Sequence, residues 1–482
     1  MGIRELVHRF WPVGLLIIVL LGGAAATRID YNTQVKNGPV INVEAFGAKA
    51  GSDSTAAFQA ALNSIPDGGV FKLTIPNNGI GNCYLISSTL TFTGGSGFTG
   101  GLTIQGGAPA EGGDYGSCIK WTGAANSTMI HLMNPQDVRI QNISFDTRSA
   151  SGVVAVWLDA LETGSTQGKD FKLDSNQFGI GASGTGLVLG RTGCSLGDVA
   201  DGSISNSQFI GDNSGTNIGV DYQCGGNSRD ISFYDTTFES LGYGYKGVGA
   251  AVGWTDFYGC FWASNLTTDI SQNQGQVNIF GGGSEGSVLM IKAGSGSTTP
   301  MQVHIDGYYF DSESVSASAP FSGFCGAIGD AIMCLNSVNL IIQNSLFANQ
   351  RIIGTTIPNI VDAGLDSSST GLTIISRGNQ YINTTGVAPL YMESTILLGP
   401  VGTGYITSNG LYQMAVESFG DLGVVSGVSS VALTPYSPSY PAFYTPASSS
   451  AACRSPKTAY DASYVYVCTT TNTWKRAALS SF

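Results

Sequence analysis

Through the middle of the chain one hydrophobic phrase recurs: apolar, any, apolar, any, a small or amide residue, any, any, aromatic. It reads Val138-x-Ile140-x-Asn142-x-x-Phe145, Phe171-x-Leu173-x-Ser175-x-x-Phe178, Gly202-x-Ile204-x-Asn206-x-x-Phe209 and Ile231-x-Phe233-x-Asp235-x-x-Phe238. Weaker copies follow at Thr255-x-Phe257-x-Gly259-x-x-Trp262 and Val277-x-Ile279-x-Gly281-x-x-Ser284. Val303-x-Ile305-x-Gly307-x-x-Phe310 and Leu340-x-Ile342-x-Asn344-x-x-Phe347 restore it, the central apolar residue advancing by 22 to 37 positions per copy. Alternation puts the two apolar positions on one face of a strand. The Asn, Ser, Asp or Gly then permits a sharp bend, and the aromatic returns to the same interior. One copy cannot bury its apolar face, but stacked copies can. The pattern therefore predicts a parallel β-helix with one coil per phrase. No 3.6-residue pattern lies between the phrases, which argues against helical and leucine-rich repeats. A propeller is the rival, with blades repeating more evenly at about 40–45 residues. The bend residues Asn142, Ser175, Asn206, Asp235 and Asn344 are expected to bond backbone groups between layers.

One helix stands out between Asp53 and Ile65, where Phe58, Ala61, Leu62 and Ile65 share a face. Asp53 or Ser54 is placed to cap its start, and Pro66-Asp67-Gly68-Gly69 to stop it. Its apolar face suits the open end of a solenoid core.

Of 482 residues 67 are Gly, scattered without a three-residue period, and only 11% are charged. That excludes collagen and charge-driven disorder and suits a turn-rich β protein. The net charge of −12 disfavours nucleic acid as a partner. Three His and no CxxC or HExxH pair leave zinc chemistry nearly without ligands. Nine scattered Cys are not a disulfide framework, though a few pairs could form after export; Cys453 and Cys468, across an apparent hairpin, are one plausible pair. Arg4, His8 and Arg9 precede the apolar run Trp11 to Ala26, which ends in small residues. Residues 1–26 read as a signal peptide cleaved near Thr27, or as an uncleaved N-terminal anchor.

The stretch "INVEAFGAKAGSDSTAAFQAALNSIPDGG" resembles the N-terminal signature of the pectate-lyase-like right-handed parallel β-helix superfamily, which includes secreted pectinases and phage tailspikes. The resemblance implies an all-β, single-stranded right-handed parallel β-helix with an N-terminal capping helix. It departs at Gly51-Ser52-Asp53-Ser54-Thr55, where related chains carry more Asp, and the chain has no Asp-Asp pair and no Gly-His-Gly. The superfamily's catalytic residues do not carry over, nor can the arginine-plus-calcium arrangement of pectate lyases be matched. The stretch from Ala451 to Phe482 is similar to small terminal β modules of viral appendage proteins, which are commonly trimers; a homotrimer is the corresponding expectation, without heptads to support it. The expected organisation is a cap at 27–69, the β-helix at 70–428, a Pro/Ser/Tyr-rich linker at 429–452 and a small module at 453–482.

In a solenoid, residues flanking the central apolar position form outward columns. This alignment stacks Tyr234, Tyr258 and Phe280 as a substrate-binding row suited to sugar rings. Asp256 and Asp306 lie beside it two layers apart, roughly 9–10 Å along the axis, as an acid and base pair for hydrolysis, with His304 to tune or replace one of them. A further acidic column holds Glu239, Glu285 and Asp311. The plainer alternatives are that the aromatics only stack on one another and that the acids are solvated surface. The expected function is an extracellular or virion-surface polysaccharide-binding β-helix, membrane-anchored if residues 1–26 stay attached. It either cleaves its cell-surface glycan, by hydrolysis or β-elimination, or serves as a non-catalytic adhesin or appendage shaft. No cofactor is expected, calcium being the one ion left open.

Overall fold

Each copy of the phrase folds as a strand, a bend and a second strand, and a third strand completes the coil. Thus Ile231–Tyr234 turns at Asp235 into Thr237–Glu239, Tyr243–Gly247 follows, and the next coil begins at Trp254–Tyr258. In the computed structural model these strands stack into three sheets. The structure describes residues 40–65, 71–79, 81–93, 101–107, 116–133, 137–159, 168–190, 199–223, 231–247, 253–293, 301–311, 332–335, 338–348, 361–364, 372–377, 380–382, 394–398, 442–443, 445–451 and 458–479. Among these, 13 strands from Val40–Asn42 to Ser394–Leu398 form the first sheet, 11 from Tyr84–Ile86 to Gln380–Ile382 the second and 10 from Leu90–Thr93 to Val361–Gly364 the third. In the first sheet only the last pairing, Leu372–Arg377 with Ser394–Leu398, is antiparallel. Parallel stacking of this kind is a β-helix; propeller blades would be antiparallel.

The register follows the phrase. Ile140, Leu173, Ile204, Phe233, Phe257, Ile279, Ile305 and Ile342 are successive vertical neighbours, and all are buried. The bend residues form a left-handed column, from Asn142 (φ 60°) through Asp235 (φ 45°) to Gly307 (φ 68°) and Asn344 (φ 52°). Asn and Gly tolerate this conformation at low cost. The inter-layer bonds come from the backbone N–H of these residues, as in Asn206 to Tyr234 O and Asp235 to Tyr258 O. The Asn206 and Asn344 side-chain amides donate instead to the carboxylates of Asp174 and Asp306. The side-chain staples lie one position further on. The Asn176 amide donates to Ile140 O, the Ser207 hydroxyl accepts from Asn176 N, and the Thr236 hydroxyl donates to Ile204 O.

Inside, the phrase aromatics stack along the axis: Phe145, Phe178, Phe209, Phe238 and Trp262 have successive centroid distances of 5.0, 4.5, 5.1 and 5.6 Å. Glycines of the third sheet make room for them. A Cβ on Gly186, Gly219 or Gly244 would come within 2.7, 3.0 or 2.8 Å of the rings of Phe209, Phe238 or Trp262. One coil further, Ser284 replaces the aromatic, and Asp269 takes the place in register with Gly244.

The helix Thr55–Asn63 buries Ala57, Phe58, Ala61 and Leu62. Ser54 is its N-cap residue but makes no side-chain cap bond; the Asp53 carboxylate accepts from Thr55 N and Thr55 Oγ1 instead. The helix also protects the end strand of the third sheet. The Gln59 side chain donates to Thr91 O and accepts from Thr91 N, satisfying an edge that would otherwise template association. Beside it, Cys83 and Cys118, vertical neighbours on adjoining coils, form a disulfide with Cα atoms 4.5 Å apart.

Contacts divide the chain into two units, the second including Val428–Phe482. That unit carries a four-stranded sheet whose last three strands, Thr458–Tyr460, Tyr464–Thr470 and Thr473–Ala478, pair antiparallel around buried Ala459, Tyr466, Cys468 and Trp474. Cys468 is disulfide-bonded; Cys453 lies outside the described residues, as do the Trp11–Ala26 run and the Pro66–Gly69 stop. Among the described residues no helix is long and apolar enough to cross a membrane.

Candidate functional site

The outer face of the first sheet is built by strict alternation. On Trp254–Tyr258, Thr255 and Phe257 point into the core, and Trp254, Asp256 and Tyr258 point out. Stacking then sets the columns. Ser232, Asp256, Asn278 and His304 form one; Tyr234, Tyr258, Phe280 and Asp306 form the next; Trp254, Gln276 and Gln302 form a third. The register expected from the phrase places all six nominated residues on this face.

The aromatic row exists, with a geometry that changes its use. Tyr234 and Tyr258 lie 5.0 Å apart and 8° from parallel, and Tyr258 and Phe280 lie 5.2 Å apart at 15°. Stacked rings cover each other's faces and present edges outward, so Tyr258, the middle ring, offers no platform to a sugar. Tyr234, at one end, has small Ser205 as its other neighbour and is 41% exposed. Trp254, two columns across, is 58% exposed. Strand geometry puts these two residues about 14 Å apart. Burial first, then the neighbouring Asp256 and Tyr234, push the Tyr258 phenol up, which keeps it a hydrogen-bond donor.

Asp256 and Asp306 are two layers apart and also one column apart, which puts their Cα atoms about 12 Å from each other. Each has a separate amide environment. Asn278 Nδ2 donates to Asp256 at 2.6 Å, and Gln343 and Asn344 donate to Asp306 at 2.8 and 2.9 Å. His304 is half-buried, two residues from Asp306 on the same strand, with its ring perpendicular to that of Phe280 (5.4 Å, 88°). Glu239, Glu285 and Asp311 do share a column, on the second sheet, with Ala263 between the first two. Among the described residues no three His, Cys, Asp or Glu side chains form a metal-holding group.

Trp254 is the site residue the phrase missed. It stands one position before the aligned segment, and its signal was alternation with Asp256 and Tyr258. A second unforeseen cluster lies on the third sheet. There His131 stacks on Trp157 (4.2 Å, 8°), with Nε2 3.2 Å from the Asp159 carboxylate.

No known family profile and no curated protein matches the chain. Among solved structures it is similar to the A-module of a mannuronan C-5 epimerase of Azotobacter vinelandii, at 13% identity and TM-score 0.40, over 72% of this chain and 99% of that one. It is similar to a surface adhesin of Streptococcus pneumoniae at 11% and 0.41, over 78% and 100%. It is also similar to an Acinetobacter phage tailspike at 12% and 0.39, over 81% and 65%. At these identities only the fold is concerned, and the three stacked sheets carry it by themselves: the chain is a parallel β-helix, the fold that its resemblance to the pectate-lyase-like superfamily implies.

Proposed function

We propose that the chain binds a polysaccharide on the outer face of its first sheet. The observation that carries this reading is Trp254, a large aromatic exposed on a regular strand, with the open face of Tyr234 on the adjoining coil. Aromatic faces cover the apolar faces of sugar rings, and a few convergent polar groups fix their orientation. Asp256 and Ser232 lie between the two aromatics, with Gln276 and Asn278 on the next coil, and together they supply donors and acceptors for hydroxyls. Export of the chain or its display on a virion belongs to the same proposal, as does assembly into trimers. In affinity electrophoresis against immobilised polysaccharides, Trp254→Ala and Tyr234→Ala should each weaken binding by about tenfold or more. Retention unchanged in both variants contradicts the proposal.

Cleavage of the bound glycan is a second reading, favoured by Asp256, His304 and Asp306 lying beside the aromatics. Asp256→Asn and Asp306→Asn should then each abolish new reducing ends or unsaturated products. Product that persists in both variants removes these residues from the chemistry, and binding without product leaves the adhesin.

A further inference from the structure

We infer that the glycan held on this face is uncharged, made of neutral or N-acetylated sugars, and that uronate polymers are excluded; the inference rests on the glycan-binding reading above. The argument is one of charge. Residues 201–348 contain 13 Asp and Glu against 3 Lys and Arg, so most of the chain's net charge of −12 falls in the coils that carry the site. The cations present are also in the wrong place. The first-sheet strands from Gly202–Ser205 to Val338–Gln343 contain no Lys or Arg. The second-sheet strands from Gln208–Ile210 to Leu346–Ala348 contain none either. Lys246 and Lys292, the described cations of this stretch, both lie on the third sheet.

A uronate polymer laid across Trp254 and Tyr234 would carry a carboxylate on successive sugars. Those carboxylates would approach Asp256, which lies between the two aromatics, and enter the field of Asp306 further up the face, with no described cation on the face to pair with. The surrounding negative field would also slow its approach. What the face offers is the side-chain amides of Gln276, Asn278 and Gln302 and the carboxylate of Asp256. Amides both donate and accept, which suits hydroxyl and acetamido groups, and a carboxylate accepts from hydroxyls.

The test compares the full chain's binding of galactomannan, N-acetylglucosamine oligomers, polygalacturonate and alginate, at low and high salt, with calcium and with chelator. At least one uncharged probe should bind in a Trp254-dependent manner. The uronates should bind at least about tenfold more weakly at low salt, with the gap narrowing as salt screens the repulsion. The double variant Asp256→Asn/Asp306→Asn should improve uronate binding. Trp254-dependent binding of polygalacturonate or alginate as tight as that of the uncharged probes, with or without calcium, overturns this inference and leaves the glycan-binding reading standing. Absence of Trp254-dependent binding to every probe overturns both.

Discussion

Phe209→Ala is expected to lower the stability of the β-helix by about 3–5 kcal/mol, the range for removing a large aromatic from a rigid core. Phe209 is fully buried, with Phe178 stacked 4.5 Å away on one side and Phe238 5.1 Å away on the other. Gly186 of the third sheet closes in on the same ring and has no side chain to move into the gap. The strands above and below are fixed by their backbone ladders, so the coil cannot collapse onto the vacancy. Phe209→Leu, which keeps most of the volume, should cost much less. Denaturant titration with an unchanged slope reads the difference as a shift in midpoint. A loss under about 1 kcal/mol for the alanine variant would mean that the ring is not part of a dry, close-packed column.

Asp269→Asn should do the opposite at neutral pH. Asp269 is fully buried and accepts hydrogen bonds from the Ser284 hydroxyl, from Ser287 Oγ at 2.6 Å and from Asn265 Nδ2 at 2.6 Å. Burial outweighs these bonds and pushes its carboxyl up from 3.8 to about 7. Between about pH 4 and 7 the folded chain therefore keeps a proton that the unfolded chain releases. The stability attached to Asp269 is greatest below about pH 4, falls as pH rises through this window and is flat above about pH 7. The total loss is on the order of 4 kcal/mol. The titratable neighbours do not interfere: burial pushes the Tyr308 phenol well up and the Cys260 thiol up to about 12, so both stay neutral throughout. An amide at 269 is neutral at every pH, so the variant should gain stability over the native chain at pH 8 and match it near pH 4. Equal differences at both pH values would contradict a buried acid that titrates alone.

The columns were legible in the sequence because a parallel ladder preserves phase. Once Ile204, Phe233 and Phe257 are recognised as the same position, Tyr234 must lie under Tyr258 and Ser232 under Asp256, and they do. What the phrase does not carry is the direction of a side chain within its column. It could not show that the tyrosine rings face each other and leave Tyr234 and Trp254 as the exposed aromatics of this face. Counting layers gave the axial spacing of Asp256 and Asp306 but not their offset by one column across the strand. Core compensation was also hidden. Ser284 looks like a failed copy of the phrase, yet the space it leaves is occupied by Asp269, whose register partner on the preceding coil is Gly244. The pair Cys83 and Cys118 is separated by 35 residues, about one coil, a spacing that becomes informative once the coil length is known.

Hydroxyl-radical footprinting with mass spectrometry, with and without a saturating neutral polysaccharide, tests the glycan-binding face most directly, because Trp, Tyr, Phe and His are reactive labels. Oxidation of Trp254 and Tyr234 should fall together on binding, while His131 and Trp157 on the third sheet remain as reactive as in the free chain. Protection centred on His131 and Trp157, or on Tyr460 and Tyr464 of the C-terminal unit, with Trp254 unchanged, would contradict a polysaccharide site on the first sheet.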